Sequence, residues 1–220
     1  MVLYNLEEPV LPVTTFTSNS GSDWKGGFLF LGNHLALDFL NTSPIQDGDP
    51  LELLPDFAAL LRWFEAAGML APRKAAALRQ LWGNSIRARR SLQAALHLRE
   101  ELRKEVLAWE AGAAIRGPMI DELNRLMAEH PARVRLKRLG ARLVEELWFE
   151  FEKPEDLLGP LSHAAAALFS RVDRNRVRKC AQCVLHFQDT SKKGTRRWCS
   201  MQLCGNRIKV AAYATRRRTL

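Results

Sequence analysis

Four cysteines, and no others in the 220-residue chain, fall close together near its end: Cys180-x2-Cys183, fifteen residues, then Cys199-x4-Cys204. That spacing constrains the fold more than any other feature. Two cysteines two residues apart on a tight turn can present both sulfurs to one metal. A loop of fifteen is long enough for a short hairpin that brings the second pair opposite the first. Zn²⁺ takes four ligands in a tetrahedron, with thiolates at about 2.3 Å, and four sulfurs close the shell. The expected cofactor is therefore one structural Zn²⁺ on Cys180, Cys183, Cys199 and Cys204. A closed shell leaves no position for substrate or water, so the metal is scaffold and no catalytic residue is assigned. Clustering of every cysteine in one segment favours metal over free thiols or a redox pair. An iron–sulfur cluster would use the same four ligands. His186 lies between the pairs, but the cysteines already complete the set.

The charge is distributed as unevenly as the cysteines. The net charge is +9, yet residues 171–220 hold fourteen Lys or Arg against Asp173 and Asp189 alone, which makes that segment +12. The first 170 residues, with nineteen basic and twenty-two acidic side chains, carry −3. A mildly acidic body with a basic end piece is a two-part protein. Local positive charge attracts polyanions, chiefly nucleic acid, by phosphate contact and counterion release; a merely solvated basic face is the plainer account. Part of the charge offsets the two negative charges of a zinc centre with four thiolates. Fourteen cations exceed that need.

Upstream, the pattern is mostly helical. Gly32-Asn33 can open a helix with Asn33 as cap, after which Leu31, Leu35 and Phe39 face inward. Asp47–Pro50 reads as a turn. Asp56 caps a helix that stops at Gly68. Pro72 begins a long Ala/Leu/Arg/Glu stretch to about Glu110, interrupted at Gly83-Asn84-Ser85. Pro118 opens another helix, ending near His130. Periodicity then changes to roughly two: residues 132–139 and 142–151, on either side of Gly140, predict a β-hairpin, with a helix as the alternative for the second run. A last helix from Pro154 leads into the basic segment with no Gly/Pro linker, so the cysteine module is expected to pack on the body. The fold class is thus mainly α with a small β-hairpin: a helical N-terminal domain, 1–175, plus a four-cysteine zinc module, 176–220. Trp63, Trp82, Trp109 and Trp148 are expected in the core, and Trp198 over the zinc loop. No run of eighteen apolar residues exists to cross a membrane, and the first fifteen residues lack the pattern of a secretory signal, so a cytoplasmic protein is expected.

His34, Asp38, Asn41 and Thr42 recur at helical spacing and share a polar side of a very apolar segment. Such a side can line a pocket for a small ligand. The same residues can instead cap neighbouring helices or a turn. No Ser/His/Asp set, paired-carboxylate motif or Gly-rich phosphate loop points to an enzyme, although a site near His34 and Asp38 is the enzymatic alternative.

From Cys180 to Arg218 the chain closely resembles the CGNR zinc finger, on CAQC, Phe187-x-Asp189, Arg196-Arg197-Trp198-Cys199 and the tetrad Cys204-Gly205-Asn206-Arg207. Upstream, LGNHLALDFLNT with Asp56, Trp63 and Ala67-Gly68 resembles the start of the ABATE domain that usually precedes such fingers. The resemblance implies a bacterial, stress-responsive transcription regulator, with a ligand-sensing domain and a finger that binds DNA. It also gives the LDFxNT residues Asp38, Asn41 and Thr42 prominence. From the residues themselves, a basic helix leaving a metal site sets cations against phosphates. The expected DNA contacts are Arg196, Arg197, Asn206, Arg207, Lys209, Arg216, Arg217 and Arg218. The expected partners are DNA, placing the protein with the nucleoid, a small-molecule ligand at His34, Asp38, Asn41 and Thr42, and a second copy in a homodimer. An RNA-binding or ribosome-associated protein would use the same cations.

Overall fold

A computed structural model describes residues 23–46, 49–83 and 85–205. Its elements are mainly α with small β-hairpins, in the order the sequence suggests. Helix α1 (Leu35–Leu40) has six residues, all buried. Helix α2 (Phe57–Ala66) starts at Asp56, whose carboxylate accepts from the Ala59 amide at 2.6 Å, and ends just before Gly68. Helix α3 (Pro72–Trp82) carries Pro72 in its first turn, where a missing N–H costs nothing. The long helical pattern is cut at Gly83, and Ser85 caps the 25-residue α4 (Ile86–Glu110) by accepting from the Ala88 amide. Helix α5 (Gly117–Glu129) follows, and a 3₁₀ turn at Pro154–Leu157 runs into α6 (Leu158–Arg171).

Helix α4 is the spine: α1, α2, α5 and α6 all pack against it, and α6 also touches α1 and α5. Trp63 is fully buried at the centre of this core, with the rings of Phe30, Phe39 and Phe64 at centroid distances of 6.1, 5.5 and 5.2 Å. Trp82 and Trp109 are buried too. Trp148 departs from expectation. It lies half-buried on a hairpin, with the Arg135 guanidinium 5.6 Å from its ring.

Four antiparallel two-stranded pairs complete the described residues: β1 (Trp24–Lys25) with β2 (Phe28–Leu29), β3 (Ile45–Gln46) with β4 (Asp49–Pro50), β5 (Arg133–Leu139) with β6 (Arg142–Trp148), and β7 (Val177–Lys179) with β8 (His186–Gln188). Asp47 and Gly48, the first half of the expected turn, lie outside the described residues; its second half, Asp49–Pro50, is strand β4, paired with Ile45–Gln46. In β5–β6 the register pairs Leu139 with Arg142 across Gly140, which adopts φ +61°. A side chain would be strained there.

A second core lies apart from the helices. It contains Cys180, Cys199, Cys204, Leu185 and Phe187, together with Leu29 and Leu31 from near the start of the described chain. Leu35 and Phe39 enter the helical core as their spacing predicts, whereas Leu31 turns to this second one. Helix α1 packs against α4 and α6 on one side and β8 on another, so it sits between the two cores.

Candidate metal centre

Strand β7 ends at Lys179, the chain turns through the first cysteine pair, and β8 returns along β7. The turn is closed by the Cys180 amide donating to the Leu185 carbonyl at 2.8 Å, and by Ala181 donating to Arg197 at 3.0 Å. The second hydrogen bond fixes the first pair against the loop that carries Cys199. Cys204 comes from a single helical turn, Met201–Gly205, whose start is held by Ser200: its hydroxyl accepts from Gln202 and its carbonyl from Cys204 and Gly205. The hydroxyl in turn donates to Asp23, which ties this turn to the strand segment before β1.

The four sulfurs all lie within 4.8 Å of one another, with Cys183–Cys199 and Cys199–Cys204 both at 3.7 Å. A tetrahedron with metal–sulfur bonds of about 2.3 Å has edges of roughly 3.8 Å, so the cluster fits. Its protonation chemistry points the same way. The Cys183 thiol is held down to about 5, first by the hydrogen bond from Cys199. The Cys199 thiol is driven far above the ordinary range by its bond to Cys183, by burial and by Cys183's charge. Burial and then the same charge push Cys204 up to about 12. One thiolate is tolerated here, and more need a cation to neutralise them. The cofactor is one structural zinc.

The basic loop before Cys199 divides into two kinds of cation. Asp189 is buried, and its carboxylate accepts from the Ser191 amide at 2.9 Å and the Arg196 amide at 2.8 Å. Arg196 is turned inward: it donates to the carbonyls of Trp198 and Cys199 and lies 4.6 Å over the Phe187 ring. Arg176 and Arg178 donate to the carbonyls of Ser191 and Gly194. These arginines shape the loop. Lys192, Lys193 and Arg197 are exposed instead, with Arg197 5.9 Å from the Trp198 ring. Asn206, Arg207, Lys209, Arg216, Arg217 and Arg218 lie outside the described residues.

The four polar residues of the LDFxNT region are brought together, but into the joint between the cores. Asn41 makes a matched pair with β8: its Nδ2 donates to the His186 carbonyl and its Oδ1 accepts from the His186 amide, both at 2.9 Å. Gly32 accepts from the Gln188 amide at 2.7 Å, and Asn33 donates to the Gln188 carbonyl at 2.9 Å. Asp38 accepts from the Gly32 amide at 2.7 Å, and burial pushes its carboxyl up to about 7 against the pull of that bond, of the Leu31 amide and of Lys25. A Cβ on Gly32 would sit 2.7 Å from the Leu37 Cβ and 2.8 Å from the Asp38 nitrogen, so only glycine allows this approach. Thr42 donates to the Phe39 carbonyl and accepts from Arg99 at 2.9 Å.

The N-cap of α1 is His34 rather than Asn33. Asn33 sits at φ +54°, a conformation asparagine tolerates better than most residues, and its side chain is spent on Gln188. His34 has extended backbone and accepts from the Ala36 amide through Nδ1 at 3.3 Å. Burial lowers its pKa to about 4, so the ring is neutral at pH 7. His186 is also buried and held low, to about 4, by burial first and then by Arg103 and Lys179; its backbone pairs with Asn41, and it lies outside the cluster of four sulfurs.

Arg99 and Arg103, both from α4, brace the C-terminal end of α1 and are not among the residues singled out from the sequence. Arg99 is buried and forks onto Glu52 while reaching Thr42, and Arg103 donates to the Leu40 carbonyl at 2.8 Å. Burial raises the Glu52 carboxyl, but the Arg99 guanidinium outweighs it and holds the group below the carboxylate range. The signal was present: Arg99 falls seven residues after Leu92, four after Ala95 and three before Leu102, on the inward stripe of α4.

Two family models match. One, ABATE, described as "putative stress-induced transcription regulator", covers residues 33–171, well over half of the chain. The other, the CGNR zinc finger, covers residues 176–217. No curated protein matches the chain. Neither family description is that of an enzyme, and no helix among the described residues is long and apolar enough to cross a membrane. With its helical core, its four-sulfur cluster and both matches in order, the chain belongs to the ABATE family and carries a CGNR zinc finger at residues 176–217.

Proposed function

We propose that the chain regulates transcription by binding duplex DNA through the surface that its zinc centre holds in place. The observation that carries this reading is the state of the finger's cations. Among the described residues, no ion pair engages a lysine or arginine beyond Lys153. The two acids of the basic segment are consumed locally, Asp173 capping a 3₁₀ turn and Asp189 holding the loop. Among the described residues, exposed Lys192, Lys193 and Arg197 therefore present positive charge with no carboxylate paired to it, which is what a phosphate backbone requires. Arg196, turned inward, positions the loop in this reading, and Asn206, Arg207, Lys209 and Arg216–Arg218 extend the contact.

Residues 1–175 act as the regulatory body and 176–220 as the finger. Because Asn41 and Asn33 hydrogen-bond β8 directly, a signal that shifts α1 shifts the finger with it. His34, Asp38, Asn41 and Thr42 thus transmit the effect of a ligand rather than contact it.

Fluorescence anisotropy with labelled duplex, at several salt concentrations and in competition with structured RNA, tests this. Salt-dependent binding in which duplex DNA outcompetes RNA supports the reading; preferential RNA binding, or none to either, overturns it.

A further inference from the structure

The β5–β6 hairpin has two unlike faces. Its register puts Arg133, Arg135, Lys137 and Leu139 on one side with Trp148, Glu146, Val144 and Arg142. There Glu146 bridges Arg135 and Lys137 at 2.7 and 2.8 Å and Arg133 reaches Glu150, while Arg142 and the exposed Leu139 flank the turn. The other side carries Val134 opposite Leu147, Leu136 opposite Glu145, and Arg138 opposite Leu143. Its four apolar side chains are left in water, at 60% exposure for Val134, 69% for Leu136, 61% for Leu143 and 42% for Leu147. Arg138 and Glu145, the two charges on that face, have no ion-pair partner among the described residues.

A lone two-stranded hairpin is at best marginally stable in water, and this one has both edges unpaired among the described residues. Its base is anchored on the body by Phe149 against His163 and by Phe151 against Phe64, and Arg133 pairs with Glu150 at 2.6 Å beside it. An ordered hairpin with a solvent-facing aliphatic side is an interaction surface.

We infer that this face pairs with the same face of a second copy of the chain. The arrangement of its charges selects that occupant. A twofold contact needs a self-complementary patch, and this one has a single cation and a single anion, one rung apart on opposite strands. A twofold axis along the hairpin sets Val134 on the partner's Leu147 and brings Arg138 within a rung of the partner's Glu145, each contact made twice. Sheets stacked face to face lie about 10 Å apart, and one rung is roughly 7 Å. The two Cα atoms are then roughly 12 Å apart, a gap that extended Arg and Glu side chains close from both sides. The patch amounts to a few hundred Å² per copy, below the roughly 800 Å² of a standard interface, so the dimer is concentration-dependent. This pairing does not depend on DNA binding and stands or falls apart from it.

Sedimentation equilibrium on the zinc-loaded full chain tests it, with circular dichroism and zinc content confirming that each variant folds. The wild type, 25.0 kDa, is expected to shift toward twice that mass as concentration rises. Leu136→Asp is expected to keep it monomeric. Arg138→Glu and Glu145→Arg are each expected to weaken association at least tenfold, and the double exchange to restore most of it. A wild type that stays monomeric overturns the inference, as does a dimer indifferent to Leu136→Asp or a double exchange that restores nothing.

Discussion

Asn41 replaces a strand partner. By offering one donor and one acceptor to the backbone of His186, it does for β8 what a neighbouring peptide group would do, and both bonds are buried. Each such bond contributes about 1 kcal/mol net, and leaving the peptide groups unpaired adds a desolvation penalty, so Asn41→Ala is expected to cost about 3 kcal/mol. Asn41→Asp is expected to cost no less, because its second oxygen would face the His186 carbonyl; chemical denaturation of both variants checks the pair. Asp38 makes a different expectation. Its carboxyl is raised from 3.8 to about 7 in the fold, so between those values the native state holds a proton the unfolded chain has lost. Its contribution to stability is therefore greatest below about pH 4 and falls as the pH rises toward 7. Asp38→Asn keeps an acceptor for Gly32 and removes the titration. Unfolding free energies at pH 6 and 8 should show the variant gaining on the wild type at the higher pH, by on the order of 1–3 kcal/mol. A constant difference would mean that Asp38 is not held protonated by burial.

At the level of elements, the finger is built from two distant pieces of chain. Leu29 and Leu31 pack with the cysteine turns, and Asp23 accepts from Ser200. The cysteine turns bury too little apolar surface to fold without metal, and structural zinc supplies that stabilisation. Chelation, or Cys199→Ser, is thus expected to leave the α-helical signal nearly intact. Amide exchange should rise together over 28–31 and 177–205 while α4 stays protected; protection persisting at 28–31 would separate that segment from the finger. Much of this level was legible in the sequence. The cap at Asp56, the break at Gly83-Asn84-Ser85, prolines at helix starts and the change of period around Gly140 are local signals, and they locate their elements. The cysteine spacing is equally local. What was not legible is which segment each element meets: nothing near Leu31 says that its side chain turns toward Cys180 and not toward Phe39. The polar residues at 34–42 show the same limit. Their spacing marks a shared face, but only the meeting with β8 makes that face a joint.

For the whole molecule, the separation of an acidic body from a basic end and the direct packing of the finger on α1 combine into one mechanical unit. The charge asymmetry was readable from composition, while the inward turn of Arg196 depends on the Asp189 loop closing around it. Arg196→Ala is accordingly expected to lower zinc-site stability as well as DNA affinity, whereas Arg197→Ala should lower affinity alone; thermal unfolding beside binding distinguishes them. In the proposed function, zinc holds a cationic surface against duplex phosphate. That role is tested most directly by titrating labelled duplex with the zinc-loaded chain and with Cys199→Ser across a salt series. The expected result is affinity that falls linearly on a logarithmic salt scale, by about 0.9 per phosphate neutralised, and that is lost in Cys199→Ser. Binding that ignores salt, or that survives loss of the metal unchanged, would contradict it.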